Sequence, residues 1–157
     1  MFFIGIKIDK MVQLSRNLIK TFLVFILVSF GMNSCKDNYT SEVPYVYVNF
    51  SINLANKIEL ETIGGFYKSN GGYAGIIIIN DGTDQSQPFL AFDATCTYEL
   101  SPASSVEMDG SSIATCPTCG SKYMLLGGYG SPIKGPASQP LKQYHTYFSG
   151  GLITVKN

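Results

Sequence analysis

Histidine is almost missing from this chain: His145 is the single one in 157 residues. No serine near it carries a nucleophile motif, so a Ser–His hydrolytic site is not written into the sequence. Basic charge is scarce as well, with Lys+Arg 11 against Asp+Glu 11, and no basic patch points to nucleic acid. The glycine-rich stretch "GGFYKSNGGYAG" is followed by neither a helix start nor a Lys-Ser/Thr pair, which excludes a phosphate-binding loop. Internal repeats and low-complexity segments are lacking, and the length suits one globular domain and little more.

The N-terminus carries the one long apolar stretch. Thr21 to Met32, "TFLVFILVSFGM", falls short of the ~20 apolar residues that a membrane span needs. Lys7, Lys10, Arg16 and Lys20 precede it, and small polar residues and Cys35 follow, the pattern of a secretory signal. Its end, "GMNSC", resembles a bacterial lipoprotein signal in which Met32 replaces the usual leucine, and "CKDN" resembles the surface-export signals of Bacteroidetes lipoproteins. The expected organisation is a signal peptide over residues 1–34, a lipidated tether over 35–43 and one domain over 44–157. Cys35 would carry the lipid, which implies a bacterial outer-membrane lipoprotein facing the periplasm or the surface. Its expected partners are the membrane and an envelope protein. Beyond Cys35 there are seven Lys/Arg against ten Asp/Glu, a net charge of −3. Export would leave Cys96, Cys116 and Cys119, an odd set in an oxidising compartment, so that one is free or all three share a ligand.

After the signal no helical period is sustained. "PYVYVNFSINL" alternates Tyr45, Tyr47 and Asn49 against Val46, Val48 and Phe50, which predicts a strand. "KIELETIGG" fits a strand or a short helical turn. "GGYAGIIIIND" predicts a buried strand, and "QPFLAFDATC" a second one that delivers Cys96 at its end. "TYELSPASSVEMDGSS" reads as loop with room for a brief strand at Val106 and Met108. "IATC" and "KYMLLGG" flank the "CPTCGS" turn as a strand pair, and "QYHTYFSGGLITVKN" forms a hairpin around Gly150 and Gly151. The class is all-β. Asp81, Asp84, Asp93, Glu99, Glu107 and Asp109 fall in turns and read as solvated loop charges.

Three features line up along this domain: "CTY" at Cys96 to Tyr98, "CPTCGSKY" at Cys116 to Tyr123, and "GSPIKGPASQPLKQY" at Gly130 to Tyr144. Together they resemble the Rieske iron-sulfur domain, most of all the ferredoxin-like components of ring-hydroxylating dioxygenases. The resemblance runs from Val46 to Val155. Its most specific part is the tail "KGPASQPLKQY…GGLITV", with Gly135, Pro136 and Pro140 in the proline loop. It implies a sandwich or barrel of short antiparallel strands with two cysteine loops and a proline loop. It also implies a 2Fe-2S cluster with one cysteine and one histidine from each loop. Cys96 and Cys116 match the cysteines, whereas Tyr98 and Cys119 stand at the histidine positions.

A neutral imidazole binds iron without losing a proton, but a phenol, with a reference pKa of about 10, must ionise first. The expectation is therefore a non-catalytic domain that has lost the family's cluster and holds no cofactor. An atypical 2Fe-2S cluster on Cys96, Cys116, Cys119 and Tyr98, passing electrons to an envelope oxidoreductase, is the alternative. Zinc on the three cysteines, or thiol-disulfide exchange by Cys116 and Cys119, comes after it. Because the resemblance places the two loops face to face, it also implies a disulfide from Cys96 to Cys116 or Cys119, with a Cys116–Cys119 ring still open. His145 reads as an ordinary strand residue.

Overall fold

The computed structural model describes residues 16–18, 20, 42–127 and 129–157. The anchor Cys35, most of the signal and all of the tether before residue 42 lie outside the described residues. The chain divides into a unit Met1–Tyr39, of which residues 16–18 and 20 are helical, and a unit Thr40–Asn157. Among the described residues no helix is long and apolar enough to cross a membrane.

The described residues of the second unit form ten short strands: β1 (Asn49–Asn53), β2 (Phe66–Ser69), β3 (Ile76–Asn80), β4 (Phe89–Asp93), β5 (Glu107–Met108), β6 (Ile113–Thr115), β7 (Lys122–Met124), β8 (Ser131–Lys134), β9 (Gln143–Ser149) and β10 (Leu152–Lys156). Six form one sheet in the order β1-β10-β9-β4-β3-β2, and four form another in the order β5-β6-β7-β8. Every pairing among the described residues is antiparallel, as the resemblance implies. The β9–β10 hairpin pairs Ser149 with Leu152 across a two-residue turn. Gly150 and Gly151 there have φ of 56° and 77°, a backbone that glycine adopts without steric cost.

The run of four isoleucines in β3 explains how the layers meet. Successive side chains in a strand point to opposite faces. Ile77 and Ile79 join Phe92, Cys96, Cys116, Tyr123 and Leu125 in one core. Ile76 and Ile78 join Leu60, Phe89, Ala91, Tyr144, Ile153 and Val155 in a second. A strand covered on both sides needs apolar residues at every position, hence a run instead of an alternation.

Several expectations are corrected. The alternation from Tyr45 to Phe50 enters the ladder only at Asn49. Before it the chain is pinned by side chains, with the Asn157 amide accepting from Val48 N–H at 3.1 Å and donating to the Val46 carbonyl at 2.7 Å. "KIELETIGG" contributes a 3-10 turn at Ile58–Leu60 after another at Leu54–Asn56, and no strand. Strands β2 and β8 fall in segments for which the sequence predicts no strand. Asp93 and Asp81 are not solvated loop charges, since both are buried. The Asp93 carboxylate accepts from Tyr73 N–H at 2.7 Å, Ala74 N–H at 3.3 Å, Thr95 N–H at 3.0 Å, Tyr144 O–H at 2.7 Å and the Thr95 hydroxyl. Asp81 accepts from Gly127 N–H at 2.8 Å and from the Thr83 hydroxyl. Turn polarity suggested solvent, but buried amides left without ladder partners were what these carboxylates satisfied.

Candidate functional site

Each of three loops is fixed by its own local chemistry before the three meet. The first leaves β4 at Asp93, whose hydrogen bonds set the direction of the chain, and Thr95 then forms a bridge to Ser105. Cys96 follows, fully buried, and its carbonyl accepts from Leu100 N–H at 2.9 Å to close the loop. The second loop joins β6 to β7. Gly120 N–H donates to the Cys116 carbonyl at 2.9 Å and Cys116 N–H to the Ser121 carbonyl at 2.8 Å. Gly120, at φ 75°, takes the left-handed turn that folds Cys119 back over Cys116.

The third loop, between β8 and β9, lies across the other two. Its Ala137 N–H donates to Ser121 Oγ at 2.9 Å, and its Gln139 carbonyl accepts from Thr97 Oγ1 at 2.7 Å. Gly135 and Pro136, joined by a cis peptide, are exposed at its tip, and Pro140 is half-buried at its base. The proline loop thus ties the two cysteine loops together through one hydroxyl from each.

The result is a cluster of three sulfurs. The Sγ atoms of Cys96, Cys116 and Cys119 all lie within 4.8 Å of one another. Cys96 Sγ and Cys119 Sγ are 3.5 Å apart, in contact but well beyond the ~2.05 Å of a disulfide bond. Cys96 and Cys116 are buried, and Cys119 is half-buried at the mouth of the site. Burial pushes the Cys116 thiol up to about 11, against the pull of N–H groups of Cys119 and Thr118 on its sulfur. Burial also raises Cys119, but the hydroxyl and N–H of Ser121, with the thiols of Cys96 and Cys116, outweigh it and hold Cys119 below the ordinary thiol value.

Two hydroxyls that the cysteine pattern did not single out complete the site. Ser121 Oγ sits 3.1 Å from Cys119 Sγ, and Tyr123 Oη 3.4 Å from Cys96 Sγ. The Tyr123 hydroxyl also accepts from Thr97 N–H at 3.1 Å. Burial, then the Cys96 contact, raise its pKa, so it stays a phenol and can donate. The signal for both was present in "CGSKY", where Ser121 and Tyr123 follow the second cysteine of the turn at fixed offsets.

The other candidate residues separate from this cluster. Tyr98 is 57% exposed, a surface residue and not a wall of the site. His145 is exposed on β9, an ordinary strand residue as expected.

No family model matches the sequence, and no curated protein does. Among solved structures, a plasma-membrane Rieske protein of the cyanobacterium Synechocystis PCC 6803 is similar at 23% identity with a TM-score of 0.53, over 69% of this chain and 99% of that one. The chain has a Rieske fold. A carbazole 1,9a-dioxygenase oxygenase–ferredoxin complex aligns at 22% identity and a TM-score of 0.49, over 69% of this chain and 93% of that one. The carbazole 1,9a-dioxygenase ferredoxin of Nocardioides aromaticivorans IC177 aligns at 16% and 0.45, over 71% of this chain and 98% of that one.

The residues present do not fit the Rieske cluster. That cluster takes two thiolates on one iron and two imidazoles on the other. Here the first histidine position is an exposed phenol, and the second is a sulfur in contact with Cys96. The sulfur at the second histidine position lies with the other two, all within 4.8 Å of one another.

Proposed function

We propose that this chain is a lipid-anchored domain of a bacterial outer membrane that keeps the Rieske fold without the Rieske cluster and acts as a non-catalytic structural or interaction module. Cys35 carries the lipid in this reading, the short tether holds the domain near the bilayer, and its partner is another envelope protein. One observation carries it: neither histidine position offers an imidazole, and Tyr98 turns to solvent instead of to the sulfurs. Fold does not fix function, so the same core, which buries Cys96 and Cys116 themselves, supports a domain whose role differs from electron transfer.

The full-length chain, made in an iron-replete bacterium and extracted in detergent without oxygen, should be colourless and free of iron and acid-labile sulfide. Palmitate labelling should depend on Cys35. A brown protein with two irons and two sulfides per chain would overturn the reading and make the domain an electron carrier with unusual ligands.

A further inference from the structure

The three cysteines do more than crowd together. We propose that Cys96, Cys116 and Cys119 form a site for a single thiophilic divalent ion, zinc in the first instance, with the fourth coordination position open at the mouth beside Cys119. The inference rests on the absence of the two-iron cluster and adds what takes its place.

Geometry is the first support. A tetrahedral ion with Zn–S bonds of 2.3 Å holds its sulfurs about 3.8 Å apart. The sulfurs here, one pair at 3.5 Å and all within 4.8 Å, need only small adjustments to reach that arrangement. A disulfide would use two of them and leave the third buried beside it.

The hydrogen bonds are the second support, because they point at two of the sulfurs. Cys116 Sγ lies 4.0 Å from the Ser104 carbonyl, and Ser121 Oγ lies 3.1 Å from Cys119 Sγ. Ser121 Oγ already accepts from Ala137 N–H, so its own proton is free for Cys119 Sγ. Tyr123 Oη accepts from Thr97 N–H and divides its one proton between Cys96 Sγ at 3.4 Å and Thr97 Oγ1 at 3.1 Å. Thr97 Oγ1, the other neighbour of Tyr123, gives its proton to the Gln139 carbonyl. Cys96 and Cys119 therefore each have a hydroxyl within hydrogen-bonding reach. A disulfide sulfur has little use for them, whereas a metal-bound thiolate keeps lone pairs that such donors stabilise.

Charge selects among ions. Three thiolates carry −3, a divalent ion reduces that to −1, and a monovalent one leaves −2 in a site where two of the three ligands are buried. Binding releases the thiol protons to solvent and leaves solvent, or a ligand from outside, at the open position.

The test uses the full-length chain, reduced and kept from oxygen in detergent, with Co2+ as a spectroscopic probe and Zn2+ as competitor. One Co2+ per chain with a sulfur-to-metal charge-transfer band of three-thiolate strength is expected, and Zn2+ should displace it. Zn2+ should also protect all three cysteines from alkylation. Cys96→Ser, Cys116→Ser and Cys119→Ser should each weaken binding more than tenfold, and Tyr98→Phe should leave it unchanged. Tyr123→Phe should weaken it about tenfold, as loss of a donor to a ligand does. Where a serine variant fails to fold, by far-UV circular dichroism, alkylation protection in the unmodified chain decides. Fully reduced protein that takes up neither ion, or that leaves any of the three cysteines unprotected, overturns the inference. Iron and sulfide in the same preparation would instead overturn the proposed function, so the two failures are distinct.

Discussion

The two sheets of this domain divide their labour. The six-stranded sheet is scaffold: β3 is covered on both faces, and the buried carboxylate of Asp93 binds its neighbour β4 to the loop after β2. In the four-stranded sheet no strand exceeds four residues, and its chemistry lies in the β6–β7 turn. One region is held mostly by apolar burial, and the other by hydroxyls and amides aimed at sulfur and at each other. Such a division would let site residues change while the fold stays.

The comparison can be broken by measuring stability on both sides of it. Asp93→Ala should cost the most, about 3–5 kcal/mol in urea unfolding, because it strands the buried Tyr144 hydroxyl and the amides of Tyr73, Ala74 and Thr95. Ile78→Ala should cost about 3 kcal/mol through the cavity it leaves among Leu60, Phe89 and Ile153. Tyr123→Phe in the metal-free protein should cost about 1–2 kcal/mol, because it removes the acceptor of Thr97 N–H and the contacts to Cys96 Sγ and Thr97 Oγ1. Tyr98→Ala, on the surface, should stay within about 0.5 kcal/mol. If Tyr123→Phe proved as costly as Ile78→Ala, the division into scaffold and site would fail.

Thiol chemistry sharpens the same contrast at finer scale. In the reduced, metal-free chain, Cys119, half-buried and held below the ordinary thiol range, should be alkylated first as pH rises. Cys116, pushed up to about 11 by burial, should follow only in strongly alkaline solution. Mass mapping of alkylated peptides across pH reads the order directly, and the reverse order would contradict the site geometry. The sign follows from ionisation: a lowered pKa supplies the reactive thiolate at lower pH, and a raised one withholds it.

The central strands were legible in the sequence, and so were the edges β1 and β5, but the edges β2 and β8 were not. β3 and β4 announce themselves by apolar residues because both lie inside the larger sheet. β2 and β8 end their sheets, and an edge strand pairs on one side only, so it tolerates the glycine-flanked "FYKS" and the proline of "SPIK". Cys96, Cys116 and Cys119 were legible as a group because two loops and a proline loop could be placed in order. Asp93 was not, since a carboxylate at the end of a strand looks the same in sequence whether water or five donors satisfy it. Tyr98 shows a further limit, for alignment with a ligand position does not say which way a side chain points.

One measurement tests the central claim most directly: native mass spectrometry of the full-length chain, released from detergent after expression with iron and zinc both supplied and oxygen excluded. The account predicts the mass of the lipidated chain plus one zinc ion. A mass increased by two irons and two sulfides would contradict it and return the domain to electron transfer.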